Sequence, residues 1–315
     1  MTRQDVFHEG EVSLQERSGS RSEARRNGAM IAATLHPAMR SFLAEQRMLA
    51  LAAPDAQGGL SAHVLFGVPG MATAEEGQVV TLGRSRLLGS QLEPPWADLV
   101  PGTRLGLLAI DLATRRRLRV NGTVSSTSDE AVRVTVTEVF PNCPKYIQRR
   151  RLVESSGPPA GASLTRGTRL DEARRDTIQR SDTLFVASHH PRRGADVSHR
   201  GGAPGFVQIL DDQTLRIPDY PGNGMFQTLG NLAVSRDAGL AFVDFARGRI
   251  LQLSGRTSLR FDVAEDSRHP TGGTGRSWDF QVEGWIESLA PAASRWELLE
   301  RSPFNPVAGG APQAG

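Results

Sequence analysis

The segment Gly202-Ala203-Pro204-Gly205-Phe206 repeats the pattern of Gly67-Val68-Pro69-Gly70-Met71 at a distance of 135 positions, and the fold prediction starts from this repeat. A second pair of blocks, Ala109-Ile110-Asp111-Leu112-Ala113 and Phe242-Val243-Asp244-Phe245-Ala246, lies 133 positions apart and keeps the same order. Self-similarity at a nearly constant distance is typical of a chain that carries one structural unit twice. The sequence therefore predicts two copies of one unit.

Each copy contains the same succession of short apolar segments around these blocks. Predicted strands cover residues 48–53, 78–82, 104–112, 117–124 and 131–139 in the first copy, and 183–188, 214–217, 239–245, 249–257 and 278–286 in the second. Val132, Val134 and Val136 alternate with polar residues, as in a strand with one buried face. Five or six short antiparallel strands with one crossing helix per copy predict a mainly β chain, a β-barrel with short helices in each copy.

Composition limits the classes of function. The 315 residues favour two domains. The net charge is only +3, and all 37 cationic residues except Lys145 are arginines, so no nucleic-acid partner is expected. Cys143 is the only cysteine, which predicts neither a disulfide framework nor a cysteine metal cluster. No apolar run is long enough for a membrane span, and residues 1–19 lack the apolar core of a signal peptide, so a cytoplasmic protein is expected.

The predicted layout has five parts. These are residues 1–46, a helical lead-in; 47–156, the first barrel, degenerate in its polar groups; 157–180, a linker and polar helix; 181–290, the second, ligand-binding barrel; and 291–315, a tail expected to be disordered from Ser302 onward.

Two polar clusters in the second copy carry the candidate chemistry. In residues 196–206, glycine pairs allow a ligand to approach the backbone. Ser198 and His199 offer hydrogen bonds, and the guanidinium of Arg200 can bind a phosphate through two N–H groups. Residues 217–231 predict a strand, a turn and a helix that starts near Asn223, with free N–H groups suited to an anion. The first copy has His63-Val64-Leu65-Phe66-Gly67 opposite Ser198–Gly202, which is apolar where the second copy is polar.

Neither cluster is decisive alone. A glycine-rich loop is most often only a loop, and His199 alone is more typical of a structural histidine. His189, His190 and His199 have no acidic residue at ligand spacing, so no metal site is predicted. Cys143 lies between Pro141 and Pro144, which favours a turn joining the barrels over a functional thiol.

Longer motifs carry a resemblance. They are Phe7-His8-Glu9-Gly10-Glu11, Gln15-Glu16-Arg17, Phe140-Pro141-Asn142-Cys143-Pro144-Lys145-Tyr146-Ile147-Gln148 and the two polar clusters. With them the chain resembles the pyridoxamine 5′-phosphate oxidase-like FMN-binding split barrels, and within that family the tandem-barrel branch of predicted flavin-nucleotide-binding proteins. The resemblance implies two tandem six-stranded antiparallel split barrels with FMN in the cleft between them. The barrels would pair within one chain, or in a homodimer.

The resemblance also assigns site residues. Gly205, Phe206 and Val207 would pass the isoalloxazine ring; the ribityl chain and phosphate would be held by Pro218, Asp219, Tyr220, Asn223 and Thr228; Ser198, His199, Arg200 and Asn231 would complete the site. The sequence departs from pyridoxamine 5′-phosphate oxidase itself, the family member that oxidises vitamin B6. The phosphate-binding arginine–lysine pair of that enzyme falls on Gly224-Met225 here, and the lysine of its second strand falls on Ile209. Vitamin B6 oxidation is therefore not implied. The phosphate would need Arg200, the helix start and a first-copy arginine, Arg84 or Arg86.

The leading hypothesis is an FMN-dependent oxidoreductase of unknown substrate and redox partner, with His199 as the best candidate for a proton donor. The alternatives are a non-catalytic flavin carrier or electron-transfer module, and a split barrel that binds F420 or haem. For haem, His189, His190 or His199 would be the axial ligand.

Overall fold

The computed structural model describes residues 6–55, 58–88, 96–153, 164–291 and 295–306. Its helices are α1 (Glu9–Arg17), α2 (Arg21–Gly28), α3 (Pro37–Ala44), α4 (Glu172–Arg180) and α5 (Gln227–Val234). Its strands are β1 (Met48–Pro54), β2 (Leu60–Phe66), β3 (Ala72–Thr73), β4 (Val79–Gly83), β5 (Arg104–Asp111), β6 (Arg116–Thr127), β7 (Ala131–Asn142), β8 (Arg149–Val153), β9 (Leu164–Gly167), β10 (Thr183–His190), β11 (Gly194–Gly201), β12 (Gln208–Ile209), β13 (Thr214–Pro218), β14 (Asp237–Asp244), β15 (Arg249–Arg260), β16 (Ser277–Leu289) and β17 (Arg295–Glu300). Within this described part, none of the helices has the length and apolar character needed to cross a bilayer.

Two large antiparallel sheets form the molecule, which confirms the prediction of a mainly β chain. The first has the order β2-β1-β5-β6-β7-β4-β3, and the second has the order β11-β10-β14-β15-β16-β13-β12. Position by position, the two orders are the same. Each sheet holds six strands of five or more residues, as expected, but also a two-residue strand, β3 or β12. β9 adds an eighth strand to the second sheet through β16.

Because successive side chains point to opposite faces of a strand, a strand can contribute to two cores, one inside its own sheet and one between the sheets. In β1, Leu49 and Leu51 point into the core of the first sheet, whereas Ala50 and Ala52 point toward the second sheet. The first core collects side chains from all seven strands of its sheet, so the sheet curls around it. A third core lies between the sheets and contains Phe185 and Val197. Fully burying a large apolar side chain contributes about 1.5–3 kcal/mol, so this shared core holds the sheets together.

Two glycines allow the sheets to touch. A Cβ on Gly106 of β5 would lie 2.7 Å from the Cα of Asp196 in β11. A Cβ on Gly239 of β14 would lie 2.7 Å from the backbone N of Ala62 in β2. The two glycines occupy equivalent strands, so backbone-to-backbone contact occurs on both sides of the interface.

The helical lead-in packs on the second sheet through α5. His8 caps α1, accepting from the backbone N–H of Gly10 and donating its own backbone N–H to Glu11. A Cβ on Gly10 would lie 2.3 Å from the carbonyl oxygen of Gly230 in α5, so the helices touch closely. The predicted polar helix before the second sheet is α4, which begins at Glu172.

Two expectations about local structure need correction. The predicted disorder from Ser302 is wrong for residues 302–306, because Gln148 accepts hydrogen bonds from the backbone of Ser302 (2.8 Å) and the side chain of Asn305 (3.1 Å). Residues 295–300 form β17, which pairs with β8. In the first copy, the described segment after β4 contains only a 3-10 turn over Arg84–Arg86 where a helix was expected. The linker residues 157–163 and the tail end 307–315 lie outside the described residues.

Candidate functional site

A cavity of about 410 Å³ opens between the two sheets. β11, β13, α5 and the loop before β16 line it from the second sheet, and β6 and the loop after β7 line it from the first. Ser20 and Glu23 of the helical lead-in lie at its rim. Ligand cavities of about 300–1,000 Å³ accept molecules the size of a nucleotide cofactor.

The first sheet contributes two arginines through strand alternation. Leu118 and Val120 of β6 point into the first core, so Arg117 and Arg119, which alternate with them along the strand, point outward, toward the second sheet. His199 of β11 is on the face that carries Val197 into the shared core. The packing of the sheets therefore brings Arg117 to His199.

Buried His199 contacts the half-buried side chain of Arg117. Arg117 Nη1 lies 3.3 Å from His199 Nδ1, and Arg117 Nη2 donates to the carbonyl of Cys143. A guanidinium has no acceptor, so Nδ1 accepts and the proton of the neutral imidazole is on Nε2. Burial and the charges of Arg117, Arg200 and Arg150 place the pKa of His199 well below its usual value. At neutral pH His199 is thus a neutral hydrogen-bond donor, not an imidazolium acid.

Arg117 has no counter-charge among the described residues. Burial, followed by the charges of Arg119 and Arg200, lowers the pKa of Arg117 to about 9, and it stays protonated at neutral pH. A half-buried cation without a carboxylate favours a ligand that supplies the negative charge.

Several buried polar atoms around the cavity lack a hydrogen-bond partner within the described part of the chain. They are Nε of Arg117, Arg119 and Arg200, Oδ1 of Asn142 and Nε2 of His199. Most buried polar groups in native proteins are paired, so unpaired groups concentrated at one cavity indicate a ligand site. Four of these five are donors, which favours an anionic ligand.

Asp219 holds two further cavity arginines. Its Oδ1 accepts from Arg200 Nη1 at 2.9 Å, and its Oδ2 accepts from Arg276 Nε at 2.9 Å. Asp219 is 3% exposed. Its carboxylate would repel a phosphate, so its role is to position the two guanidinium groups that face the cavity.

α5 begins at the cavity, at Gln227 and not near Asn223 as predicted. Phe226 precedes it in the left-handed region (φ 60°), and no side chain caps the helix start. The first N–H groups of an uncapped helix favour an anion. Thr228 donates to Ser198 Oγ at 2.8 Å and so ties the helix start to β11.

Nine of the twelve predicted binding residues line the cavity. They are Ser198, His199, Arg200, Phe206, Pro218, Asp219, Tyr220, Asn223 and Thr228. The other three do not. A Cβ on Gly205 would meet nothing within 4 Å, and Val207 is buried in the core of the second sheet. Asn231 forms hydrogen bonds of 3.0 Å with His8 Nε2 and with Ser188 Oγ. Asn231 therefore fixes the helical lead-in.

The first-copy arginines at the cavity are Arg117 and Arg119, not Arg84 or Arg86. Arg84 instead lies over the Trp96 ring, 5.5 Å from its centroid. A pattern in the sequence could have identified Arg117 and Arg119, because these arginines alternate with Leu118 and Val120 along one strand. The matching positions of the second copy hold Ile250 and Gln252 instead.

The loop after β7 closes one side of the cavity. Cys143, Lys145 and Tyr146 line it, and Tyr146 is in the left-handed region (φ 67°). The Tyr146 hydroxyl donates to the carbonyl of Pro221 at 2.9 Å, linking the loop to the second sheet. For this segment, the sequence favoured a turn that joins the two barrels.

Three side chains of the types that bind metals lie together outside the large cavity, but the hydrogen bonds of the two histidines do not suit a metal site. His8, Glu9 and His190 bring one ligand atom each within 4.8 Å of one another. Nδ1 of His8 accepts from Gly10 N, and Nδ1 of His190 accepts from Arg192 N, so both Nε2 atoms carry protons. Metal-bound histidines instead donate from the second nitrogen. His189 and His190 also lie away from the large cavity.

Comparisons with known proteins add fold likenesses only. No protein-family model and no curated protein matches the chain. Among solved structures, it is similar to a histidine-to-alanine variant of HupZ from Group A Streptococcus, at 16% identity and a TM-score of 0.30, over 38% of this chain and 98% of that one. A candidate pyridoxamine 5′-phosphate oxidase from Lactobacillus delbrueckii has 11% identity and a TM-score of 0.30, over 38% and 94%. An F420 reductase has 12% identity and a TM-score of 0.24, over 41% and 98%. At these TM-scores the likenesses do not decide the function, which has to come from the cavity.

Proposed function

We propose that the chain binds FMN in the cavity between its two sheets and acts with it as an oxidoreductase. The observation that carries the proposal is the Arg117–His199 pair: among the described residues, the half-buried guanidinium has no carboxylate partner and the Nε2–H of the buried imidazole has no hydrogen-bond partner. Of the motifs that resemble FMN-binding split barrels, the two polar clusters of the second copy and the stretch of residues 140–148 contribute residues to the same cavity.

The cavity fits a flavin nucleotide in size and charge. Its volume of about 410 Å³ is within the range of cofactor sites. Among the described residues, the cavity is lined by five cationic side chains and two acidic ones: Arg117, Arg119, Lys145, Arg200 and Arg276, against Glu23 and Asp219. An excess of cations, together with an uncapped helix start, suits a phosphate monoester.

Each group has a role that follows from its contacts. Arg117 would neutralise the phosphate, and Asp219 would keep Arg200 directed at the cavity. His199 would donate its Nε2 proton as a hydrogen bond without titrating near neutral pH. Tyr146 and Tyr220, with ring centroids 5.1 Å apart, offer an apolar wall for a planar ring. The flavin, when bound, supplies the electron transfer.

The first test is equilibrium dialysis of the full chain against FMN and against riboflavin, which lacks the phosphate. We expect FMN to bind more tightly than riboflavin, and Arg117→Ala to weaken FMN binding by about 10- to 100-fold through loss of a charged hydrogen bond. The matched control is Arg133→Ala, an exposed arginine on β7 outside the cavity. Equal affinity for FMN in wild type and Arg117→Ala would remove the phosphate assignment.

Two further readouts separate the alternatives. Consumption of NADH or NADPH by the FMN-loaded chain distinguishes an enzyme from a carrier, because a carrier shows none above background. Tighter binding of F420 or haem than of FMN in the same dialysis would replace the flavin with that ligand.

A further inference from the structure

A second cavity lies beside the first and shares Gln227 with it. Its volume is about 30 Å³, enough for an enclosed water, which needs roughly 10–15 Å³. Among its lining residues are Glu11 from α1, Glu138 from β7 and Asp196 from β11. We call these three carboxyl groups the acid cluster. Glu11 belongs to the Phe7–Glu11 motif, which the proposed nucleotide site leaves unexplained.

The acid cluster has too few hydrogen bonds for three ionised carboxylates. Glu11 Oε2 accepts from His8 N at 2.8 Å. Asn121 Nδ2 is shared, at 3.3 Å from Glu138 Oε2 and 3.2 Å from Asp196 Oδ1. Asp196 is 4% exposed, and its Oδ2 accepts no hydrogen bond from the described residues. Glu138 is partly exposed and pairs with Arg193 Nη1 at 3.6 Å, whereas Glu11 and Asp196 are buried. Burial and the mutual repulsion of the three carboxylates favour a retained proton in the cluster.

Burial raises the pKa of both Glu11 and Glu138, and the larger shift is that of Glu11. Burial, with the charges of Glu138 and Asp196, raises the pKa of Glu11 to about 8. The charged groups that face it are Arg119 of β6, Arg193 of the β10–β11 turn and the two other carboxylates. His8 lies against Glu11 and His190 against His8; burial and His190 lower the pKa of His8 to about 4, so His8 is neutral.

Arg119 connects the acid cluster to the nucleotide cavity. Its Nη1 donates to Gln227 Oε1 at 2.7 Å and lies 3.4 Å from Asp196 Oδ2. Arg119 is 5% exposed and lines the large cavity. A phosphate in that cavity would therefore compete with Asp196 for the same guanidinium.

We infer that binding of a phosphorylated ligand in the large cavity is coupled, through Arg119, to uptake of a proton by the acid cluster. The inference rests on the proposed function. A phosphate that shares Arg119 takes positive charge from the carboxylates and adds negative charge near them. Both changes favour the protonated form of Glu11, so a proton moves from solvent onto its carboxylate. By linkage, the ligand binds more weakly as pH rises past the pKa of the free protein.

The test is calorimetric titration of FMN into the full chain at pH 8, in two buffers of different ionisation enthalpy. The phosphate of FMN is fully ionised at this pH, so it neither gains nor loses a proton. We expect uptake of about half a proton or less per FMN bound. The matched variant is Glu11→Gln, whose amide has the shape of the protonated acid and can still accept from His8 N. At pH 6.5 it should bind FMN as the wild type does, and at pH 8 its proton uptake should be smaller.

The outcomes are distinct. Lower uptake in Glu11→Gln than in wild type supports the coupling. Tight FMN binding with equal or no uptake in both proteins overturns the coupling and leaves the proposed function intact. Failure of the wild type to bind FMN overturns the proposed function, and the coupling with it. If Glu11→Gln does not fold, Glu138→Gln takes its place and should lower the uptake in the same way.

Discussion

Asp219 shows how a single residue positions other side chains of a site. Both of its carboxylate oxygens are occupied, one by Arg200 and one by Arg276, and the residue is almost fully buried. Its backbone is held as well, since its N–H donates to the carbonyl of Arg276 and its carbonyl accepts from Thr274 Oγ1. The cavity arginines are thereby fixed on a rigid support.

Asp219→Asn should destabilise the chain, because it leaves two partly buried guanidinium groups without a counter-charge. We expect a loss of about 1–3 kcal/mol in the free energy of unfolding, measured by urea denaturation. The control is Asp212→Asn, which breaks an ion pair with Arg169, a side chain that is 66% exposed. Exposed pairs contribute about 0–1 kcal/mol, so the control should change little. Equal losses for both variants would contradict the positioning role.

At the scale of elements, the contact between α1 and α5 depends on small residues. Gly230 is inside α5, where alanine would ordinarily stabilise the helix by about 1 kcal/mol. Here a Cβ would lie 2.5 Å from Glu11 Cγ and 2.7 Å from Glu11 N. Because of this contact between the helices, alanine at position 230 should destabilise the protein instead of stabilising it.

Gly230→Ala should lower the free energy of unfolding by about 1–3 kcal/mol, as overpacking does, and should expose α1 to limited proteolysis. Gly222→Ala is the control, since a Cβ there meets nothing within 4 Å. Protection of α1 in Gly230→Ala equal to that in wild type would mean that the helices do not pack as described.

The sequence was sufficient to predict the elements that have a local signal. It was not sufficient to predict the contacts between elements. The strands came from alternation, as in Val132, Val134 and Val136, and the polar loops of the second sheet came from their glycines. Arg117 was missed because its partner His199 is 82 residues away and reaches it only through packing of the two sheets. The start of α5 was placed too early because Phe226, in a left-handed conformation, carries no capping signal.

At the scale of the whole molecule, the two sheets share a strand order but carry different residues at matching positions of their interface. Strand registers place Val64 in the first sheet where His199 is in the second, and Gln252 where Arg119 is. Gln252 Nε2 donates to the carbonyl of Ala62 at 2.7 Å and lies 2.9 Å from His63 Nδ1. These polar groups satisfy one another, and so the matching position needs no ligand. One chain should therefore hold one nucleotide.

The measurement that tests the central claim most directly is the stoichiometry of FMN binding by absorbance titration, with the mass of the protein in solution determined in parallel. A single cavity between the sheets of one chain predicts one FMN per chain. Two per chain would show that the first sheet has a working site of its own. No saturable binding would contradict the assignment of the cavity between the sheets to a flavin nucleotide.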